Sequence, residues 1–253
     1  MTLTLVTVTL LASGIALSGT AFVSRWPVAS TGTATPELPD LVGWFARWQI
    51  QHRAPDLDPS KTVVLRLFLT FTYRLATPLA RLRIRPGVVT LAGLWLACTV
   101  PTIATRWPAI AAVVCVFSSL VDGVDGAVAG LTNRASATGF VLDSFVDRLA
   151  ELAFFGALVV VGGHLSLAAG GWAAVILVEY VRARAGNAGL DEVGVVTVAE
   201  RPTRVLCVVF GLLGAAFMPA HARAAADGAA IIAIVTAVVG LAQLGATIHR
   251  RLT

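Results

Sequence analysis

The stretch "VDGVDGAVAGLTNRASATGFVLDSFVDRLAE", residues 121–151, interrupts a chain that is otherwise strongly apolar. It carries Asp122, Asp125, Asp143 and Asp147, with Glu151 one turn further on. A carboxylate at the centre of a membrane helix costs about 2.5–3.5 kcal/mol on insertion scales. Four of them need compensation. A divalent cation supplies it, because hard cations take oxygen ligands. Asp122 and Asp125 are three residues apart and Asp143 and Asp147 four apart, so each pair shares one helix face. Gly126, Gly130 and Gly139 lie beside them, and glycine lets helices or a ligand approach closely. The polar segment "LTNRASAT" between the pairs reads as a turn. The stretch therefore predicts two helices whose carboxylates face one cavity.

The surrounding chain fixes the setting. Of 253 residues, 57% are hydrophobic and 13% charged, about half the charge of a soluble domain. Mean hydropathy is +0.83. Crossing the hydrocarbon core takes about 20 mostly apolar residues. Seven stretches qualify or nearly do: Thr2–Val23, Val88–Thr105, Trp107–Leu120, Ala150–Gly163, Leu165–Val178, Val205–Phe217 and Ala229–Ile248. The two that end near the aspartates must continue through them if they span. The chain thus reads as an all-α polytopic membrane protein.

Net charge is +5, and its distribution speaks against nucleic acid as a partner. With seven spans and alternating loops, every Lys and Arg except Arg106 and Arg223 falls on one side. Basic loops stay cytoplasmic. The N-terminus is then outside, the C-terminus inside and the aspartates at the cytoplasmic face of a plasma membrane. The same basic excess suits anionic membrane lipids.

Residues 1–24 form the first of these spans. They lack the positive n-region of a signal peptide, and Arg25 follows the apolar run. Residues 25–60 read as a linker, opening with the Pro/Thr/Ser-rich "PVASTGTATPELPD". Within it, "LVGWFARWQIQHR" mixes Trp44, Phe45 and Trp48 with Arg47, His52 and Arg53. That suits a short helix in the membrane interface or one packed on the domain. Residues 61–253 form the membrane domain. Its first helix, "KTVVLRLFLTFTYRLATPLARLRI", has an apolar stripe broken by Arg66, Arg74, Arg81 and Arg83 and should lie on the surface or obliquely. Six spans follow from Pro86. Cys98, Cys115 and Cys207 sit in apolar runs with no CxxC, as buried small residues do. The four histidines are scattered and suggest no ligand set.

Asp122-x-x-Asp125-Gly126-x-x-Ala129 followed by Gly139-x-x-x-Asp143-x-x-x-Asp147 resembles the signature of the CDP-alcohol phosphotransferases, the membrane enzymes that build phospholipids from CDP-activated precursors. "RPGVVTLAGL" is similar to the family's Pro-x-x-x-Thr at the head of its first core helix, here Pro86 and Thr90. The resemblance covers residues 62–250. It implies six membrane helices behind an interfacial helix, and commonly a homodimer.

For the site, the resemblance implies that Asp122, Asp125 and Asp143 ligate Mg²⁺ or Mn²⁺, as one or two ions, against the diphosphate of a CDP-diacylglycerol-type lipid. Asp147 would act as base on the acceptor hydroxyl and could also touch metal. Gly126, Ala129 and Gly139 would leave room for cytidine and ribose, with Pro86 and Thr90 on the nucleotide side. The family usually places Arg after the motif alanine. This chain has Gly130, with Arg134 one turn on as the candidate substitute.

A second polar island, "EYVRARAGNAGLDEVGVVTVAERPTRVL", supplies Arg182, Arg184, Arg201 and Arg204. Four guanidiniums suit a phosphate-bearing acceptor, although anchoring by the positive-inside rule explains them as well. The pattern Tyr180-x-Arg-x-Arg with Glu200-Arg201-Pro202-x-Arg204 is similar to members of the family that use inositol phosphate, in actinobacteria and archaea. Those often have Lys for the first Arg and an acid after the second, where this chain has Ala185-Gly186. Glycerol 3-phosphate is the alternative acceptor. From other classes, an ion-coupled transporter would also need intramembrane acids, but here the acids lack a counterpart in the second half. A non-catalytic lipid-binding homologue is suggested only by Gly130.

Overall fold

The structure is a computed structural model that describes residues 38–51, 58–59, 61–190 and 197–252. The span expected over residues 1–24 and most of the linker lie outside the described residues. Among those described are eight α-helices, one short 3₁₀ turn at Pro219–His221 and no strand. The helices are α1 (Leu41–Gln51), α2 (Val63–Arg81), α3 (Pro86–Ala104), α4 (Pro108–Leu131), α5 (Ala137–Val160), α6 (Leu165–Asn187), α7 (Arg201–Phe217) and α8 (Ala222–Leu252).

Among the described residues, five segments are long and apolar enough to cross a membrane: α2, α3, α4, α6 and Pro219–Arg251, which contains α8. The protein is an integral membrane protein. Two of the expected spans fall short for physical reasons. α7 has only 17 residues, and α5 carries four charges, Asp143, Asp147, Arg148 and Glu151. Conversely α2, expected on the surface, has the length and composition of a span.

The helices run past the charges at which the apolar stretches stop. Their ends are set by local chemistry. α4 closes where Asn133 turns left-handed (φ 52) and the Arg134 N–H donates to Ala129 O at 2.9 Å, a Schellman cap. α2 ends the same way, with Arg83 at φ 57 and the Ile84 N–H on Leu79 O at 3.0 Å. α5 begins where Ser136 Oγ accepts the Gly139 N–H at 3.1 Å, an ordinary serine N-cap. α3, α4 and α7 each start with Pro in the first turn, where its missing N–H costs nothing.

By internal packing the chain forms two units. One comprises α1, α2 and residues 86–95 and 118–147; the other takes residues 96–117 and 148 onward.

In the first unit, Trp44, Ala76, Ala80, Val89, Val124, Ala127, Val128 and Leu131 make one apolar cluster. Trp44 is 1% exposed, and Tyr73 Oη donates to Pro39 O at 2.9 Å. α1 is thus a helix packed on its unit, the second of the two sequence readings. Alanines at 76 and 80 bring α2 close to α4, and a Cβ at Gly123 would meet the Phe68 ring at 2.7 Å.

In the second unit, α8 packs along α6 and α7. Glycine permits the close approach: a Cβ at Gly211 would lie 2.7 Å from both Ala229 Cβ and Leu158 Cδ2. At one end His164 ties the α5–α6 turn to α8, its N–H donating to Asp227 Oδ1 at 2.7 Å.

Candidate active site

The carboxylates expected to converge do so, in a changed grouping. Asp122 from α4 and Asp143 and Asp147 from α5 each offer an oxygen, all within 4.8 Å of one another and partly buried. Oxygens that share one magnesium ion lie at most about 4.2 Å apart, twice the metal–oxygen distance. Three hard oxygen donors at this spacing fit one such ion after a small closing movement. The sequence reading put Asp125 among the ligands and Asp147 mainly as base. Here Asp147 belongs to the trio and Asp125 stands beside it.

Asp125 is held from another helix. Thr90, on the second turn of α3, donates its hydroxyl to Asp125 Oδ2. Both side chains are buried, at 5% and 6% exposure. Asp143 and Asp122 still act on Asp125 electrostatically, so it belongs to the same patch of negative charge. The α3–α4 contact is close because Ser118 Oγ donates to Gly93 O at 2.9 Å. A Cβ at Gly93 would already sit in contact with Ser118 O and Asp122 N. Gly93 and Ser118 therefore set the distance at which Thr90 meets Asp125.

The small residues behave as their type predicts. A Cβ at Gly126 would meet nothing within 4 Å, so there is open space on that face of α4. Ala129 is partly buried, Gly139 is exposed on the first turn of α5, and Pro86 opens α3. Arg134 needs a correction. Because α4 ends at Leu131 and Asn133 reverses the backbone, Arg134 follows the cap and does not continue the face on which Gly130 sits.

The arginine island is also rearranged, within the second unit. Arg204 is 3% exposed. Its Nη2 donates to Glu179 Oε1 at 3.0 Å and its Nη1 lies 3.3 Å from Glu151 Oε1. Arg182 bonds Glu200 Oε1 at 2.6 Å and lies 3.4 Å from Glu179 Oε1. Arg148 joins Glu151 at 3.1 Å. Three arginines and three glutamates thus form one network that is close to neutral. Arg184 is exposed and Arg201, the first residue of α7, is partly buried. The four arginines read as one phosphate clamp therefore differ in setting, since glutamates engage Arg182 and Arg204 in the network.

Glu200 shows how the loop before α7 is fixed. Its carboxylate turns back to accept the Thr197 N–H at 2.9 Å and the Thr197 hydroxyl at 3.0 Å. Burial works to raise its pKa. The Thr197 N–H and the Arg182 guanidinium outweigh burial and hold it below the ordinary glutamate value.

Sequence reasoning missed Glu151, Glu179 and Glu200 as partners. The signal for two was present: Arg148 and Glu151, and Glu179 and Arg182, are pairs at i,i+3, a spacing that favours ion pairing on a helix.

Comparison with known proteins agrees with this geometry. The sequence profile of the CDP-alcohol phosphatidyltransferase family matches residues 83–247, a range that holds all four aspartates. The chain belongs to the CDP-alcohol phosphatidyltransferase family. It is 28% identical over 180 residues to the archaetidylinositol phosphate synthase of Aeropyrum pernix, covering 69% of this chain and 90% of that protein. It is 32% identical over 164 residues to that of Methanothermobacter thermautotrophicus, covering 63% and 80%.

Among solved structures it is similar to the phosphatidylinositol phosphate synthase of Mycobacterium tuberculosis. The complex with manganese and citrate superposes with a TM-score of 0.55 at 26% identity, over 70% of this chain and 88% of that one. The form with CDP-DAG bound gives 0.55 at 27%, over 68% and 92%. The protein is accordingly an enzyme of phospholipid biosynthesis, and the transporter reading falls away.

Proposed function

We propose that the protein transfers a phosphatidyl group from a CDP-activated lipid to a hydroxyl of inositol phosphate, releasing CMP. The observation that carries this reading is the trio Asp122, Asp143 and Asp147 in a chain of this family. The relatives' names support inositol phosphate over glycerol 3-phosphate as acceptor. The manganese in the tuberculosis enzyme supports a divalent cation.

Asp122, Asp143 and Asp147, with Asp125 alongside, would hold Mg²⁺ or Mn²⁺, as one or two ions. Such ions, when bound, neutralise the donor's diphosphate. Asp147 accepts the proton of the attacking hydroxyl. The acceptor oxygen bonds to the lipid-side phosphorus, the bond from that phosphorus to CMP breaks, and CMP carries off the electron pair. Gly126, Ala129 and Gly139 leave room for the nucleotide, with Pro86 as a further candidate to line it. Arg201 and Arg184 attract the acceptor's phosphate, and Arg182 and Arg204 stiffen the surrounding helices. Positioning and charge do most of the work, as is usual in phosphoryl transfer.

The one-sided distribution of Lys and Arg supports a cytoplasmic active site and an outside N-terminus. A homodimer is the expected assembly. The test is metal dependence: CMP release should stop in EDTA and return with Mn²⁺. Release that persists in EDTA would remove the reading.

A further inference from the structure

The Thr90 hydroxyl has one proton and two oxygens within reach. One is Pro86 O, one turn back at 3.2 Å; the other is Asp125 Oδ2. Pro86 O is the ladder acceptor for the Thr90 backbone N–H, and a carboxylate takes a hydroxyl proton more strongly than a carbonyl does. The proton therefore goes to Asp125. With both side chains buried, water does not compete for it. Threonine in a helix is restricted at χ1, so the bond anchors Asp125 to a fixed point on α3. The Gly93–Ser118 contact sets that point relative to α4.

We propose that Thr90 is a positioning residue. It holds the Asp125 carboxylate in the orientation needed to join Asp122 and Asp143 around a divalent cation. This rests on the metal-dependent reading above. It differs from a nucleotide-contact role for Thr90, because the hydroxyl's proton is committed to a buried carboxylate.

The two roles separate in an experiment that needs no turnover. Mn²⁺ binding is followed by electron paramagnetic resonance on the full-length protein in detergent, without donor lipid. Thr90→Val removes the hydroxyl at nearly constant shape, and Thr90→Ser keeps it. Loss of a group that hydrogen-bonds a metal ligand typically costs about 10–100-fold in metal affinity. Thr90→Val should show a loss in that range, and Thr90→Ser should bind much as the wild type does. At saturating Mn²⁺ the KM for CDP-diacylglycerol should be unchanged.

Unaltered Mn²⁺ binding by Thr90→Val overturns the proposal. Unaltered Mn²⁺ binding with a raised donor KM assigns Thr90 to the nucleotide instead. A wild type that binds no Mn²⁺ removes the metal-dependent reading itself. If Thr90→Val unfolds at lower temperature without metal, Thr90→Ala compared with Thr90→Ser gives the same contrast.

Discussion

Arg204 Nη1 lies 3.3 Å from Glu151 Oε1, with 4% and 2% of the two side chains exposed. It joins α7 to α5 through two charges that solvent hardly reaches. Burying such a pair brings little net stability, but removing one partner leaves the other uncompensated and costs about 3–5 kcal/mol. Arg204→Met should therefore lower stability by an amount in that range, measured by thermal unfolding in detergent. Glu151→Gln should cost less, because Arg204 keeps Glu179 at 3.0 Å. Replacing both residues should recover part of the loss in a double-mutant cycle. Strictly additive losses would show that the two charges are not coupled.

Asp147 is assigned both a place in the carboxylate trio and the proton-accepting role. Asp147→Asn keeps the shape and removes the charge. It should lower turnover by at least the roughly 10²–10⁴-fold that a general base contributes, while CDP-lipid still binds. Near-normal turnover would remove the base assignment.

Glu200 makes a pH prediction whose sign follows from its lowered pKa. A carboxylate whose folded pKa is depressed stabilises the fold above its unfolded pKa. That stabilisation is lost as pH falls through the folded value. The Glu200 contribution should thus be complete at neutral pH and decline once pH drops below the ordinary value of 4.5. Melting temperatures of wild type and Glu200→Gln should differ at pH 7 and converge on acidification. A gap that stays constant with pH would contradict this.

Gly211 lies where α7 meets α8, and a methyl there would come within 2.7 Å of Ala229 Cβ and Leu158 Cδ2. Overpacking of that kind costs about 1–3 kcal/mol. Gly211→Ala should lower the melting temperature. Gly126→Ala, where a Cβ meets nothing, should leave it unchanged.

The carboxylates were legible in the sequence because charge inside an apolar run is costly, and i,i+3 and i,i+4 spacings put each pair on one helix face. What was not legible depended on distance along the chain or on backbone reversal. Nothing local links Thr90 to Asp125, which are 35 residues apart, so Asp125 could not be set apart from the other acids. Arg134 was counted as one helical turn past Gly130 although its segment reads as a turn, because the position of the left-handed residue, Asn133, that ends α4 is not marked by any local pattern. The arginine island looked like a free cationic patch because Glu151 arrives from α5, on a different helix. Trp44 was ambiguous for a related reason: an aromatic–basic helix has one composition whether it meets lipid or packs on its own protein.

Arg201 carries the acceptor assignment most directly. Arg201→Ala should raise the acceptor KM more than the donor KM, read from steady-state kinetics with each substrate varied in turn. A defect confined to the donor would move Arg201 out of the acceptor site.

The central claim is tested by CMP release from CDP-diacylglycerol by the purified protein with Mg²⁺ in detergent. Inositol 1-phosphate, glycerol 3-phosphate, free inositol and no acceptor are compared, with Asp147→Asn as the blank. The account predicts release with inositol 1-phosphate alone. Release with glycerol 3-phosphate instead, or with no acceptor in the panel, would contradict it.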